Sequence, residues 1–339
     1  MLLLLWPYHL APVCRMSQHY RFNTIAIDVG PAELSNRTST LGSGRIPMRS
    51  RDSARALMVM AAIIWGSTFM VGRVIVRYVD PLGVTFIENV IGALILVSAL
   101  LWKDRSSGPE GLRFFGHRML VILGLLNGLA YAANYIALYY TTAINASLLV
   151  NFGMAMVPVF AFLFGRERVT HRNVMALVIG ILGTVLVTTG GNLGAVVEGQ
   201  LVGDLLALLA GLVWALWIVL AHDAMKEAEK PLRVAAPNAA YTAIVLGVAA
   251  LVFSDPSGVQ SASSMTWAGI IYLGVFSIGI AFLLYYEGLK HLGGTTSAVY
   301  LLLQSAVAVF LGFFFLGESL TVPLLIGAAM VMSAVAIAD

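Results

Sequence analysis

Residues 138–170 read LYYTTAINASLLVNFGMAMVPVFAFLFGRERVT, and residues 289–321 read LKHLGGTTSAVYLLLQSAVAVFLGFFFLGESLT. Each stretch begins with a short threonine-containing entry, continues as an apolar run of about 20 residues, the length at which a helix crosses a bilayer, and ends in Glu-x-x-Thr. Glu167-Arg168-Val169-Thr170 in the first thus faces Glu318-Ser319-Leu320-Thr321 in the second. The same spacing of about 150 residues brings Trp65-Gly66 opposite Trp214-Ala215. The chain reads as two copies of one unit.

Outward from these stretches, apolar runs near 56–78, 82–102, 118–140, 144–164, 172–190, 201–222, 234–253, 266–288, 295–316 and 320–338 fill the chain beyond Arg55. The composition agrees: of 339 residues 59% are hydrophobic and 11% charged, against roughly 25% charged in a soluble domain, so lipid is the solvent for much of the surface. Only helices fit such runs, because an open strand leaves backbone groups unpaired in hydrocarbon. Pro81 and Pro323 stand at helix starts, where a missing N–H is tolerated. The expectation is an all-α membrane protein of ten transmembrane helices arranged as two inverted five-helix repeats. Five spans per half is an odd number, so the second half enters from the opposite side, a plan that recurs among secondary transporters.

The loops set the orientation. With the N-terminus inside, Arg49, Arg51, Arg55, Lys103, Arg105, Arg113, Arg118, Arg166, Arg168, Arg172, Lys226, Lys230, Arg233 and Lys290 are cytoplasmic, and only Arg73 and Arg77 lie outside. Fourteen against two is the bias of a protein with both termini in the cytoplasm. The expected division is an N-terminal segment 1–54, disordered or started from an upstream codon with Met48 a natural beginning, a first repeat 55–190 and a second repeat 200–338. The run Met1 to Leu5 is too short for a secretory signal. Asn36-Arg37-Thr38 matches a glycosylation sequon and carries no weight. Cys14 is the single cysteine, which excludes a disulfide framework and a cysteine metal site.

The ordered set Trp65-Gly66-Ser67-Thr68-Phe69, Ala137-Leu138-Tyr139-Tyr140-Thr141-Thr142, Pro158, Phe164-Gly165-Arg166-Glu167-Arg168 and Leu316-Gly317-Glu318-Ser319-Leu320 resembles the drug/metabolite transporter superfamily, in its ten-helix form with two EamA domains. The likeness covers roughly residues 55–338. It implies transport, often export, of amino acids, related metabolites or drugs across the cytoplasmic (inner) membrane. Two departures stand out. Phe86-Ile87 is followed by Glu88-Asn89 where the family commonly has a basic residue, and Val309 stands where the second half would match Pro158.

Polar residues within the runs are the candidates for a pathway. Glu88 lies about 10 Å deep in the second run at 1.5 Å per residue, and a charge at the bilayer centre costs on the order of 3 kcal/mol. It must be protonated, paired or beside a wet cavity, and it is the best titratable group for coupling to protons. Asn127, Tyr131 and Asn134 share one helix face, as do Ser147, Asn151, Met154 and Pro158, and Ser297, Tyr300 and Gln304. Trp65 and Trp214 sit mid-helix, away from the interfacial belt, and Trp217 adds aromatic surface beside them. The expected substrate pathway is Trp65, Glu88, Asn89, Asn127, Tyr131, Asn134, Asn151, Trp214, Tyr300 and Gln304. Interhelical hydrogen bonding, worth about 0.6 kcal/mol a pair, is the plainer role for any one of them. Glu287 and Lys290 are spaced for an ion pair, Asp204 reads as interfacial, and Arg73 and Arg77 read as snorkelling outward. Gly124 with Gly128, and Ala207, Gly211 and Ala215, are small-residue seams for close helix packing.

No catalytic residue, cofactor or metal site is expected. There is no phosphate-binding loop for ATP and no His-Glu-x-x-His or Gly-x-Ser-x-Gly motif. No Lys or Arg lies at mid-membrane, which disfavours phosphorylated substrates. The sequence therefore points to a secondary transporter of small neutral or zwitterionic metabolites such as amino acids or drugs, working by alternating access. Its partners would be the small-molecule substrate, the lipid bilayer and a coupling ion such as a proton, with no nucleic acid. The rival is a membrane-embedded lipid-modifying enzyme with a cytoplasmic-face site built from His117, His171, His222 and His291, which occupy separate loops without acids arranged around them. A channel or receptor fits the repeat less well.

Overall fold

The structure, a computed structural model, describes residues 48–104, 113–164, 171–189, 198–228, 230–292, 297, 300–301 and 303–338. Cys14, the Asn36 sequon and the Glu167 to Thr170 motif lie outside the described residues. The described elements are helical: α1 (Met48–Ile75), α2 (Pro81–Asp104), α3 (Arg118–Tyr140), α4 (Ala143–Met154), α5 (Val157–Leu163), α6 (His171–Thr189), α7 (Glu198–Ala228), α8 (Pro231–Phe253), α9 (Ser264–Tyr272), α10 (Phe282–Leu292), α11 (Leu303–Leu316) and α12 (Val322–Ala338). A π-helical segment, Leu273–Ala281, joins α9 to α10.

Among the described residues, seven helices are long and apolar enough to cross a membrane, and two further apolar helices, Leu303–Leu316 and Val322–Ala334, are shorter. The ten expected runs thus meet seven such spans with shorter apolar helices beside them. The run at 144–164 is not one straight helix. It breaks at Ala155 and Met156 into α4 and α5, because Pro158 offers no N–H and its ring clashes with the carbonyl four residues back.

Local signals set the helix ends. The Asp80 carboxylate accepts from the Leu82 and Gly83 N–H groups at 2.9 and 3.2 Å, capping α2 with Pro81 as its first residue. Thr142 caps α4 by accepting from the Asn145 N–H at 3.0 Å. Gly317 ends α11 with φ +65°, a conformation that favours glycine. The Glu318 N–H then turns back to the Gly312 carbonyl at 3.1 Å, and the Glu318 carboxylate reaches the free N–H groups of Ala143 and Ile144 at 2.8 and 2.9 Å. An acid from the turn after α11 therefore caps the start of α4, where the helix dipole favours negative charge.

The main packing partners are α6 with α12, α2 with α8, α4 with α11, α3 with α7, α1 with α10 and the π segment, α4 with α7, α1 with α11, α3 with α8, and α2 with the π segment. Backbones approach closely where glycine permits. A methyl group on Gly124 would lie 2.2 Å from the Tyr241 Cβ, and one on Gly274 would lie 2.7 Å from the Ile91 Cβ and 2.9 Å from the Glu88 carbonyl. The protein is apolar outside and carries polar groups within. Leu251, Phe253 and Met265 are largely exposed while Glu88, Asn89, Asn127 and Asn151 are buried, the arrangement expected when hydrocarbon is the surrounding solvent.

Candidate functional site

A cavity of about 60 Å³, measured as room for the centres of water molecules, lies among α1, α3, α4, α7, the π segment, α10 and α11. Since one water needs about 10–15 Å³ on this scale, the space holds a few waters or one compact group. Eight aromatic side chains line it: Trp65, Phe69, Tyr131, Tyr135, Trp214, Trp217, Phe282 and Tyr285. Among the described residues, the remaining polar lining is Thr68, Asn134, Ser277 and Gln304, and none of the lining is charged.

The two tryptophans 149 residues apart are held in matching ways. The Trp65 indole N–H donates to the Ser277 carbonyl at 3.2 Å, and that of Trp214 donates to the Asn127 Oδ1 at 3.0 Å. Residues 127 and 277 are themselves 150 apart. The Trp217 N–H donates to the Asn238 Oδ1 at 3.3 Å. The rings interlock, Trp65 with Phe282 and Tyr285 at 5.3 Å each, Tyr131 edge-on to Trp214 at 5.4 Å, and Trp217 stacked on Tyr285 at 5.9 Å, separations at which aromatic pairs attract.

Of the ten expected pathway residues, Trp65, Tyr131, Asn134, Trp214 and Gln304 line this cavity. Glu88 does not. It is fully buried behind the wall, where its Oε2 accepts from the Tyr135 hydroxyl at 2.6 Å and its Oε1 has no protein partner. Asn89 turns away and donates to the Thr85 carbonyl at 2.9 Å. Asn127 stands behind Trp214 and donates to Thr242 at 3.2 Å. Asn151 accepts from the Gln304 amide at 2.7 Å and donates to the Ser305 hydroxyl, tying α4 to α11. Tyr300 packs half-buried against the main core. Sequence reasoning missed Phe69, Tyr135, Phe282 and Tyr285 as lining residues. The spacing held a signal for two of them, since Tyr285 follows Tyr135 by 150 residues.

Two wider pockets share no lining residue with the cavity. One, of about 490 Å³, is lined by Arg77, Asp80, Leu82, Tyr139, Phe253 and Asp255 among others. The other, of about 420 Å³, is lined by Leu100, Lys103, Lys230, Arg233, Glu287 and Lys290 among others. Pro81 and Lys103 of α2 line one each, and about 30 Å of helix separates them at 1.5 Å per residue. The pockets are therefore at opposite ends of α2.

Several side chains near these ends differ from expectation. Arg73 does not snorkel outward: half-buried, it donates to the Leu138 and Tyr139 carbonyls at 2.5 and 2.9 Å, satisfying carbonyls that the end of α3 leaves without helical donors. Asp204 does not face water. It is 2% exposed and accepts from the Thr141 hydroxyl at 2.5 Å, which brings the start of α7 against the end of α3. Glu287 meets His291, one turn on, at 3.3 Å, the pairing that helix geometry stacks on one face. His117 lies 3.0 Å from Glu227. Two of the four histidines thus do have acid partners, as separate and partly exposed pairs. Among the described residues no three His, Cys, Asp or Glu side chains converge on a metal-sized site.

Comparison with known proteins decides what this architecture is. Residues 53–189 and residues 201–338 each match the EamA-like transporter family. The chain belongs to the EamA-like transporter family. It is a membrane transporter of the drug/metabolite superfamily. Two relatives from Archaeoglobus fulgidus, both described as uncharacterized transporters, are 30% identical over 288 residues (84% of this chain, 95% of the relative) and 25% identical over 263 residues (77% and 89%). An uncharacterized transporter of Bacillus subtilis is 22% identical over 277 residues, 80% of this chain and 88% of its own. A solved crystal structure superposes with a TM-score of 0.60 at 21% identity, covering 85% of this transporter and 96% of that chain, a likeness of fold.

Proposed function

We propose that this transporter is a secondary carrier that exports small neutral or zwitterionic metabolites, such as amino acids or drugs, across the cytoplasmic membrane by alternating access. Ten spans form two five-helix halves inserted in opposite senses, with both termini cytoplasmic. The observation that carries this reading is a small aromatic-lined cavity, built by helices of both halves, that shares no lining residue with the wider pockets at the two ends of α2. A channel needs a continuous path, whereas a carrier passes through a state shut on both sides.

The helix packing supports the opposed halves. Exchanging each half for the other turns α1 with α11 into α7 with α4, α1 with the π segment into α7 with α3, and α2 with the π segment into α8 with α3. Each exchanged pair is also a packing partner. The pairs α2 with α8, α6 with α12 and α4 with α11 map onto themselves. The end of α1 and the start of α7 lie at the same end of the bundle, since Arg73 and Asp204 both hold the junction of α3 and α4. The matching tryptophan bonds to residues 277 and 127 follow the same exchange. The pocket lined by Lys103, Lys230, Arg233 and Lys290 lies at the cytoplasmic end by the positive-inside bias.

The substrate pathway runs past Trp65, Tyr131, Asn134, Trp214 and Gln304, with Asn127, Asn151, Asn89 and Tyr300 behind or beside it. Glu88 is the group through which a proton is exchanged, by way of Tyr135. Counterflow in proteoliposomes tests the carrier reading. Trapped unlabelled substrate should drive transient accumulation of labelled substrate, with rates that saturate. Linear, non-saturating flux with no counterflow marks a pore and ends the carrier reading.

A further inference from the structure

We infer that the pocket at the Lys103 end of α2 binds the headgroup of an anionic phospholipid from the adjoining leaflet. This needs only that the chain spans a membrane, and it stands whether or not the carrier reading does. Four cationic side chains converge on the pocket from three helices. Lys103 lies in the last turn of α2, Lys290 in the last turn of α10, and Lys230 and Arg233 at the start of α8. The described lining holds one carboxylate, Glu287, and that meets His291 at 3.3 Å. Lys103, Lys230 and Lys290 are exposed and have no ion-pair partner among the described residues. The positive-inside bias accounts for cations at this end, but not for their gathering in one pocket. The pocket at the other end of α2 is of similar size, and there Arg77 is accompanied by Asp80 and Asp255.

Two of the four cations oppose their helix. Lys103 and Lys290 stand at C-termini, where the dipole favours positive charge, whereas Lys230 and Arg233 stand at an N-terminus, where it does not. An anion in the pocket offsets that mismatch and the mutual repulsion of the cluster. The Arg233 guanidinium is held 5.5 Å from the Phe114 ring centroid, a cation–π contact, and its planar fork suits a phosphodiester. The pocket also continues into an apolar strip. One turn further from the helix ends, Ala99 and Leu283 of the lining are followed by Ile95 and Ile280, both exposed. The two sides of the strip adjoin, since a methyl group on Gly279 would lie 3.6 Å from Ile95. Trp102, 75% exposed beside Lys103, has the place of an interfacial anchor. Free phosphate would use the cations alone. A phospholipid uses the cations for its headgroup and the strip for its acyl chains, the arrangement by which basic pockets between membrane helices hold anionic lipids. A zwitterionic headgroup brings a cation of its own and fits less well.

The probes are dioleoyl phosphatidylglycerol and dioleoyl phosphatidylcholine, titrated onto the full-length protein in neutral detergent micelles, with bound lipid read by native mass spectrometry. Phosphatidylglycerol should bind saturably and about tenfold tighter than phosphatidylcholine, since each basic residue near a membrane surface is worth about fivefold toward an anionic lipid. Replacing Lys103, Lys230 and Lys290 together by Gln should weaken phosphatidylglycerol by tenfold or more and leave phosphatidylcholine unchanged. The charge-matched control replaces Arg113, Arg118 and Lys226 by Gln. These are exposed residues outside the pocket lining, at the same end of the bundle, and the change should alter phosphatidylglycerol binding less than twofold. If the triple pocket variant does not fold, Lys103→Gln and Lys290→Gln singly should each weaken binding about fivefold. Equal affinity for the two lipids, or equal losses in the pocket and control variants, overturns the inference. Displacement of phosphatidylglycerol by millimolar inorganic phosphate marks a site for soluble anions and overturns the lipid assignment. Neither result touches the carrier reading, which counterflow tests separately.

Discussion

Tyr135 and Tyr285 stand 150 residues apart, are both buried and both line the central cavity. Tyr135 donates to Glu88 at 2.6 Å, and Tyr285 has no hydrogen-bond partner. On the proposed two-half arrangement the surrounding scaffold is matched in position, with the Trp65 indole reaching the residue 277 backbone carbonyl and the Trp214 indole the residue 127 side chain. The difference teaches that packing and chemistry obey separate constraints here. Helix seams must match for the proposed halves to fit one another, whereas a single acid in one half is enough to make the two tyrosines differ.

The comparison sharpens if paired substitutions in the seams behave alike and paired substitutions at the tyrosines do not. The largest effect should come from Gly124→Val and Gly274→Val, which drive a side chain into Tyr241 or into Ile91 and the Glu88 carbonyl. Each should cost about 3 kcal/mol, the upper end of typical overpacking, and each should lower the thermal midpoint in detergent by a similar amount. A large loss for one and none for the other would break the match between the seams.

Next is Tyr135→Phe, which removes a hydrogen bond to an acid and should cost about 1.5–3 kcal/mol of stability if Glu88 is ionised. Tyr285→Phe removes a buried hydroxyl with no partner and should be neutral or slightly stabilising. Thermal unfolding of the two variants side by side checks this. Equal losses would mean that Tyr285 has a partner of comparable strength.

The smallest effect belongs to Glu318→Gln, which keeps the shape but removes the charge at the start of α4. Loss of a helix-terminal charge of this kind costs about 0.5–1 kcal/mol. Thermal unfolding again reads it, and Glu318→Ala, which also frees two N–H groups, should cost more.

The helices were legible because a run of apolar residues admits few other structures in lipid. The tryptophan pair was legible through the repeat. Pro158 stood out within the run 144–164, but the break it makes between α4 and α5 is a backbone consequence that side-chain periodicity does not display. Glu88 was visible as a charge among apolar neighbours; its partner was not, because Tyr135 is 47 residues away on another helix and a tyrosine in an apolar run looks like packing. Arg73 and Asp204 were misread for a related reason. A charged residue near a helix end has the same sequence signature whether it reaches water or satisfies a neighbouring chain end. The π segment left its trace only as Gly274 and Gly279 within one apolar run.

The most direct test is the accessibility of Thr68, a small residue lining the cavity. Cys14 is first replaced, so that Thr68→Cys is the single thiol. A membrane-impermeant maleimide is then applied from one face of reconstituted vesicles at a time. Alternating access predicts labelling from both faces, with substrate shifting the ratio between them. Labelling from neither face, or from one face alone under every condition, contradicts it.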